Sequence, residues 1–314
     1  RVRQDGRVEF NLNNKEIDIR ISTIPTIHGE KIVLRLLDRE HFLLTKDQLG
    51  FTQKNLERFD KLLKQPYGMI LITGPTGSGK TTTLYAILNE LNRVEKNIIT
   101  IEDPVEYKME GINQIQINPK AGLTFASGIR SILRQDPDII MVGEIRDAET
   151  AHIAVRAAIT GHLVLSTLHT NDSPSSVMRL VDMGVEPYLV ASAVIGVVSQ
   201  RLVKKLCNNC KEAYEASYAE KLLLGKNYDE KVILYRPKGC NRCNNGYLGR
   251  RAVHEIMLIN EDMRRLITEG KGLDELKNMA LNSGMITLLD NSINLALEGV
   301  TSLDEILKAN FTLG

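Results

Sequence analysis

The sequence predicts an α/β fold with a mostly parallel sheet, preceded by a small α+β domain. Between about 69 and 168, short apolar runs typical of buried strands alternate with stretches of helical periodicity. Before about residue 37, apolar and polar side chains alternate one by one, as in half-exposed strands. We therefore expect an α+β domain over 1–65 and a larger α/β domain over 66–314.

The first segment predicts a β-hairpin followed by one more strand. Alternating runs occupy 8–12 and 17–21, and Asn13-Asn14 between them is a turn signal. A further strand is predicted over 32–37, and a helix over about 53–64.

The second segment predicts the parallel sheet itself. Helices are expected from Gly79 to about 93, over 124–135 and over 148–160. The part after about 186 is predicted to be mostly helical, with a cysteine-containing insert over 204–250. The predicted strands are 69–73, 97–101, 138–142 and 163–168.

Composition sets the broad class of the protein. The 314 residues are 43% hydrophobic and 25% charged, which is typical of a folded globular chain. Lys and Arg total 40 and Asp and Glu 39, so a net charge of +1 does not favour bulk binding to nucleic acid or to membrane surfaces.

The longest apolar stretch, about 188–198, is well short of the ~20 residues that span a bilayer. It predicts a buried helix, and a soluble protein that associates with membranes only through partners. The chain has no signal-peptide pattern, and it begins without Met in the middle of a strand pattern. This beginning indicates a piece of a longer protein.

A glycine-rich motif follows the first predicted strand of the sheet and opens a helix. In G-x-x-x-x-G-K-[ST] motifs, the glycines let backbone N–H groups surround phosphate oxygens, and the helix dipole favours the negative charge. Lys80 can then reach the β- and γ-phosphates, and the Thr81 hydroxyl can bind Mg²⁺. We therefore predict ATP and Mg²⁺ as ligands. The motif consists of Gly74, Pro75, Thr76, Gly77, Ser78, Gly79, Lys80 and Thr81.

A P-loop needs a carboxylate that organises the metal and the attacking water. Glu144 follows the predicted strand 138–142, and Glu102 follows 97–101. Acidic residues at such strand ends in an α/β sheet lie close to a ligand, although they also commonly cap strands and loops. Gly143 stands where the usual Walker B aspartate is expected, so we predict that Glu144 and Glu102 share these roles.

Two histidines flank the predicted strand 163–168. A polar side chain at the tip of a strand beside the P-loop could sense the γ-phosphate, which makes His162 and His169 candidates. A lone histidine is as often a structural group with its hydrogen bonds satisfied.

Four cysteines form two C-x-x-C pairs, Cys207/Cys210 and Cys240/Cys243. Four thiolates on two such turns suit tetrahedral Zn²⁺, and the long segment between the pairs is expected to fold as an excursion. A redox pair or free cysteines are the alternatives, although no redox-fold pattern surrounds either pair.

Four segments, 74–81, 101–106, 134–147 and 161–172, occur in the order of the Walker A, Asp, Walker B and His boxes of the secretion ATPase superfamily. The chain resembles this superfamily over nearly its whole length, and most closely the type II secretion and type IV pilus assembly ATPases. The run 130–138 and the four cysteines make the resemblance specific.

The resemblance implies a RecA-like P-loop ATPase domain in a homo-hexameric ring. It implies a cytoplasmic protein, peripheral at the inner membrane, which powers secretion or pilus assembly through an inner-membrane platform protein. Gly143-Glu144 is a family feature, and a further N-terminal domain precedes the matching region in the family. The four cysteines imply partner docking and disfavour the retraction ATPases, which lack them.

The resemblance also assigns roles to arginines. Arg20 and Arg35 alone would be solvated charges on exposed strands, but the matching family arginines reach a neighbouring subunit's phosphates. Five others match further family arginines, and nucleotide contact or structural ion pairing stays open for them. They are Arg130, Arg134, Arg146, Arg179 and Arg250.

Two rival functions come from other classes. A nucleic-acid-translocating hexameric motor could use the cysteine insert to bind DNA, but the near-neutral charge and the lack of a basic, aromatic-rich stretch speak against direct nucleic-acid binding. A nucleotide-gated scaffold without hydrolysis conflicts with the intact Lys80, Thr81 and Glu144.

Overall fold

A computed structural model describes residues 2–12, 15–38 and 44–310. By its contacts the chain divides into two compact units, 1–45 and 46–314. The domain assignment over 1–65 remains a prediction, but its helix packs within the second unit. This helix, α1 (Gln53–Leu63), buries Phe59 and Leu62, and Asn55 Nδ2 donates to the carbonyl of His254 at 2.9 Å.

The first unit is an antiparallel sheet of three strands in the order β1-β2-β3. The predicted hairpin is confirmed by the pairing of β1 with β2, while its turn at Asn13-Asn14 lies outside the described residues. Arg20 on β2 is directly opposite Arg35 on β3, so the two occupy one face of the sheet. The strands are β1 (Gln4–Leu12), β2 (Lys15–Thr26) and β3 (Gly29–Asp38).

The second unit is built on a seven-stranded sheet in the order β12-β9-β4-β8-β7-β5-β6. All neighbours are parallel except β12 with β9, so the prediction of a mostly parallel sheet is confirmed. Its strands are β4 (Gly68–Thr73), β5 (Ile98–Glu102), β6 (Asn113–Gln116), β7 (Ile139–Val142), β8 (Leu163–Leu168), β9 (Val194–Leu206) and β12 (Tyr247–Leu258). Strands β10 (Glu212–Glu215) and β11 (Ile233–Arg236) form a separate antiparallel pair.

Helices cover the sheet. Met69 and Leu71 of β4 point into one large apolar cluster, while the intervening Ile70 and Ile72 are also fully buried, so both faces of the strand are covered. The remaining helices are α2 (Lys80–Leu91), α3 (Phe125–Ile132), α4 (Ala148–Ile159), α5 (Ser173–Asp182), α6 (Pro187–Ala193), α7 (Tyr218–Leu223), α8 (Glu261–Thr268), α9 (Leu273–Asn282), α10 (Leu288–Leu297) and α11 (Leu303–Asn310).

The prediction of a mostly helical chain after about 186 is wrong in one important part. The apolar stretch 188–198 does not form one buried helix: α6 ends at Ala193 and β9 begins at Val194. From Val194 onwards, the β-branched residues form a strand that lies between β4 and β12. The hydrogen bonds to these two neighbouring strands outweigh the local apolar pattern that predicted a helix. Within the described residues, no helix combines the length and apolar content needed to cross a bilayer.

Candidate functional site

The glycine-rich motif forms the loop between β4 and α2, as predicted. Gly74, Gly77 and Gly79 have φ values of 144°, 79° and 89°, a region that favours glycine. A Cβ on Gly74 would also lie 2.5 Å from the Gln200 carbonyl oxygen, so only glycine fits there. The loop can therefore curl tightly at the carboxyl end of β4.

Lys80 opens α2 and lies over this loop. Its Nζ donates to the carbonyls of Gly74 at 2.9 Å and Pro75 at 3.1 Å. Partial burial lowers the pKa of Lys80. The negative charge of Glu144 partly opposes this shift, and the positive charge of Arg201 adds to it. Thr81, beside it in the first helical turn, is exposed. The first intrahelical bond runs from the Thr83 N–H to Gly79, so the N–H groups before Thr83 have no partner within the helix.

Gln200 of β9, which no sequence motif indicated, holds the loop from the other side. Its Nε2 donates to the Ser78 carbonyl at 2.6 Å, and its Oε1 accepts from Thr83 Oγ1 at 2.8 Å. Because Gln200 is fully buried, these bonds fix the position of the loop against β9. Its partners are distant in sequence, so no local pattern marks it.

Glu144 follows β7 and lies at the same edge of the sheet as Lys80. Its Oε1 is 2.6 Å from Arg146 Nη2, and its Oε2 is 3.7 Å from His169 Nε2. Partial burial and the nearby Lys80 lower the pKa of His169 against the opposing effect of Glu144. The site thus brings a carboxylate, an imidazole and two basic side chains together.

Glu102 at the end of β5 has different surroundings. It is buried, and its carboxylate accepts hydrogen bonds from Tyr85 Oη, Thr100 Oγ1 at 2.6 Å and Gln114 Nε2 at 3.3 Å. Burial raises the pKa of Glu102, and these hydrogen bonds partly oppose the shift. Tyr85 comes from α2, so the network ties the P-loop helix to β5. No sequence motif indicated Tyr85, because its partner on β5 is distant along the chain.

The sheet order decides which candidates lie near the P-loop. Only β8 and β9 adjoin β4; β7 lies one strand further and β5 beyond it, so neither predicted carboxylate strand is a direct neighbour. His169 directly follows β8, the neighbour of β4, so it lies at the tip of a strand beside the P-loop strand. His162 precedes β8, hence lies at the opposite end of the sheet, where its Nδ1 is 2.9 Å from the Ala157 carbonyl oxygen.

Two of the other candidate arginines make contacts within the protein. Arg130 pairs with Glu149 at 2.7 Å, and Arg134 Nη1 donates to the Arg130 carbonyl at 2.9 Å. Arg20 and Arg35 lie in the first unit, Arg179 is on α5 and Arg250 is on β12.

The sulfur atoms of the four cysteines lie close together, two of the residues following the end of β9 and two preceding the start of β12. Cys207 and Cys240 have their sulfur atoms 3.9 Å apart, and Cys210 and Cys243 have theirs 3.7 Å apart. Thiolates at the vertices of a tetrahedron around zinc, with Zn–S bonds of about 2.3 Å, are separated by about 3.8 Å. The cluster therefore fits a four-thiolate metal site. The segment between the pairs folds as β10, α7 and β11, an excursion like the one predicted.

Comparison with known proteins gives the family. The model of the Type II/IV secretion system protein family matches residues 1–308. Type II secretion system ATPase E of Vibrio cholerae is 48% identical over 98% of this chain and 61% of that protein. Type IV pilus assembly ATPase PilB of Thermus thermophilus is also 48% identical, over 98% of this chain and 35% of that protein.

Solved structures agree on the fold. The pilus retraction motor PilT with bound ADP has a TM-score of 0.69 at 28% identity, covering 98% of this chain and 76% of that one. The ATPase DotB of Legionella pneumophila has a TM-score of 0.72 at 22% identity, covering 97% of this chain and 76% of that one. These likenesses confirm the predicted RecA-like α/β fold.

The chain spans less than two thirds of the length of the curated relatives that it matches, 61% of the Vibrio protein and 35% of the Thermus protein. The match nevertheless extends over nearly all of the present sequence, and the four boxes and the cysteine pairs lie within it. The predicted resemblance is confirmed: the chain belongs to the Type II/IV secretion system protein family.

Proposed function

We propose that this chain is the ATP-hydrolysing part of a motor that powers type II protein secretion or type IV pilus assembly. The observation that carries the proposal is the P-loop between β4 and α2, with Lys80 lying over it and Glu144 at the same sheet edge. The ATPase names of the Vibrio and Thermus relatives, and the ADP in PilT, support it.

Nucleotide binding is proposed at Gly74–Thr81. Lys80 would exchange its hydrogen bonds to the Gly74 and Pro75 carbonyls for the β- and γ-phosphate oxygens. The backbone N–H groups at the start of α2 would donate to the same phosphates. The positive φ values of Gly74, Gly77 and Gly79 support this proposal, because they let the backbone curl tightly around a phosphate.

Mg²⁺, when bound, would neutralise charge on the phosphate oxygens. The Thr81 hydroxyl and the Glu144 carboxylate are oxygen ligands of the kind that this ion prefers, and Thr81 is exposed in the first turn of α2. Both residues therefore suit the ion, and their assignment to it is part of the proposal.

Glu144 is proposed to take the proton of the attacking water. It is the carboxylate whose charge acts on Lys80, and its Oε2 also faces His169. The His169 imidazole, whose pKa is lowered, would orient the water or the γ-phosphate by hydrogen bonding. Glu102 was predicted to share the role, but its oxygens already accept three hydrogen bonds, so we assign it to positioning α2 against β5.

The assembly proposed is a homo-hexamer that works through an inner-membrane platform protein, cytoplasmic and peripheral at that membrane. Arg20 and Arg35, opposite each other on one sheet face, would supply positive charge to a neighbouring subunit's nucleotide. Direct nucleic-acid contact is not proposed, because the net charge is only +1.

The four cysteines are proposed to hold structural Zn²⁺. Their separations suit tetrahedral thiolate ligation, and all four positions are taken by protein, so no open position is left for catalysis. Cys207, Cys210, Cys240 and Cys243 would join the end of β9 to the start of β12.

The P-loop assignment is tested by Lys80→Ala. We expect the wild-type chain to release phosphate from ATP only with Mg²⁺, and Lys80→Ala to abolish this, because the charge facing the β- and γ-phosphates is lost. Phosphate release and unfolding temperature are measured together, with Lys96→Ala, at an exposed surface ion pair, as the control. Full turnover in Lys80→Ala would contradict the assignment.

A further inference from the structure

Strand β9 extends beyond the P-loop strand. Thr73, the last residue of β4, is paired with Ser199, and β9 continues to Leu206. Gln200 and Arg201 are therefore the first residues of β9 beyond the part that is paired with β4, beside the loop that leaves β4. The hydrogen bonds of Gln200 to Ser78 and Thr83 hold this part of β9 against the loop.

The Arg201 side chain bridges across this edge. Its Nη2 donates to the Asn171 carbonyl oxygen at 2.9 Å and to Asn171 Oδ1 at 3.3 Å. Asn171 follows β8, and β4 lies between β8 and β9 in the sheet. The guanidinium therefore spans the carboxyl end of β4, where the P-loop begins.

The acceptors of Arg201 are neutral. Besides Asn171 it donates from Nη1 to the Gln200 carbonyl at 3.1 Å, and within the described residues no carboxylate forms an ion pair with it. Burial lowers the pKa of Arg201. The negative charges of Glu255 and Asp172 raise this pKa, but neither carboxylate forms an ion pair with the guanidinium. A half-buried cation whose hydrogen bonds go to neutral oxygens is incompletely stabilised, and an arriving anion would improve its surroundings.

Lys80 is part of the same electrostatic environment, since the charge of Arg201 disfavours the protonated form of Lys80. Two cations that repel each other at one loop are stabilised together by an anion placed between them. The phosphate groups of a nucleotide are such an anion. The planar guanidinium also suits two-point contact with phosphate oxygens.

We propose that Arg201 contacts the phosphates of the nucleotide bound to its own chain, as a second cation beside Lys80. The inference rests on the proposed function and adds a residue to it. It differs from the proposed role of Arg20 and Arg35, which would act on a neighbouring subunit. The competing explanation is a structural one, in which Arg201 only fastens the loop after β8 to β9.

The test compares Arg201→Gln with Arg58→Gln. Arg58 is a matched control: burial lowers its pKa, and it donates to the carbonyls of Ser283 at 2.9 Å and Ile256 at 3.4 Å. We expect Arg201→Gln to weaken MgATP binding ~10- to 100-fold, as loss of a charge-assisted contact does, while Arg58→Gln binds as the wild type does. Arg201→Lys should recover part of the affinity, because the charge is kept. Binding is measured by competition with a fluorescent ATP analogue.

Each outcome of the binding experiment supports or contradicts the proposed contact between Arg201 and the nucleotide. If Arg201→Gln binds MgATP as tightly as wild type, or no more weakly than Arg58→Gln, Arg201 is a structural fastener and the inference is wrong. If the wild-type chain itself does not bind MgATP while folded, the proposed function fails and Arg201 loses its role with it. Thermal unfolding of all variants is recorded, so that a folding defect is recognised.

Discussion

Two glutamates at neighbouring strand ends differ in what surrounds them. Glu144 is paired with Arg146 and faces His169, with 14% of its side chain exposed. Glu102 is enclosed by Tyr85, Thr100 and Gln114. A carboxylate that faces His169 and acts on Lys80 at the proposed nucleotide site can accept a water proton, whereas one that already accepts three hydrogen bonds mainly positions its partners.

We predict that Glu144→Gln binds MgATP as the wild type does but hydrolyses it ~10²–10⁴-fold more slowly, because an amide cannot accept the proton of the attacking water. Binding and single-turnover phosphate release are the measurements. Glu102→Gln is the comparison and should retain most of its turnover when folded. A normal rate in Glu144→Gln together with a strong loss in Glu102→Gln would exchange the two roles.

A second prediction at the residue scale concerns pH. Burial raises the pKa of Glu102 above its ordinary value of 4.5, and the Tyr85 hydrogen bond opposes that shift. Tyr85→Phe removes the bond, so the folded-state pKa rises further. The part of the stability loss that comes from the ionised carboxylate is complete above the folded-state pKa and decreases as pH falls below it, because the folded carboxyl is then protonated in wild type and variant alike. The bond that the Glu106 N–H donates to Tyr85 Oη is lost at every pH, so a smaller loss remains in acid.

We therefore expect Tyr85→Phe to lower the free energy of unfolding by about 1–3 kcal/mol near neutral pH, and by less in mild acid. Urea unfolding at both pH values measures this. Tyr67→Phe, at an exposed tyrosine, is the control and should change little at either pH. An equal loss for Tyr85→Phe at both pH values would show that the bond to ionised Glu102 is not its cause.

At the scale of elements, β9 organises the second unit. It pairs with β4 on one side and with β12 on the other. It also carries Gln200 and Arg201 at the P-loop, and Cys207 directly follows it. A strand in this position connects the proposed phosphate site to the cysteine cluster along one backbone.

The cysteine cluster leads to the prediction that belongs to this scale. We expect the purified, reduced chain to contain about one zinc ion, and Cys243→Ser to lose it and to unfold at a lower temperature, because three thiolates hold zinc less tightly than four. Metal analysis and thermal unfolding are the measurements. Asn209→Ser, between two of the ligands, is the control and should keep the metal. Absence of metal from protein never exposed to chelator would exclude the zinc site.

At the scale of the whole molecule, the chain consists of two compact units. Arg20 and Arg35 lie in the first unit, and the P-loop lies in the second. The proposed ring would let the first unit of one subunit complete the site of another. Hydrolysis would then require assembly, which couples the chemistry to movement of the units.

We predict that Arg20→Ala and Arg35→Ala fold and bind nucleotide but lose most of their ATPase activity, by ~10³-fold if each acts as an arginine finger. Mixing Arg20→Ala with Lys80→Ala protein tests action between subunits, because some interfaces would combine an intact P-loop with an intact arginine. Phosphate release is measured on mixed oligomers, with each variant alone as the control. No recovery in rings shown to be mixed would mean that Arg20 acts within its own chain or only supports the fold.

The sequence by itself determined the features that depend on residues adjacent to one another along the chain. The P-loop from Gly74 to Thr81 was recognisable because its function depends on local backbone freedom and on one lysine next to it. The parallel strands β4, β7 and β8 were recognisable because strands buried on both faces are continuously apolar. The paired spacing of the cysteines likewise predicted the cluster that the fold brings together.

Only the tertiary structure decided which distant residues meet. Strand β9 was mistaken for helix because its stability comes from pairing with β4 and β12, not from its local pattern. Gln200 meets Ser78 across 122 residues of sequence, and Arg201 meets Asn171 across 30. Hydrogen bonds over such separations leave no periodic trace in the sequence, because they depend on the strand order of the sheet, which places β4 between β9 and β8.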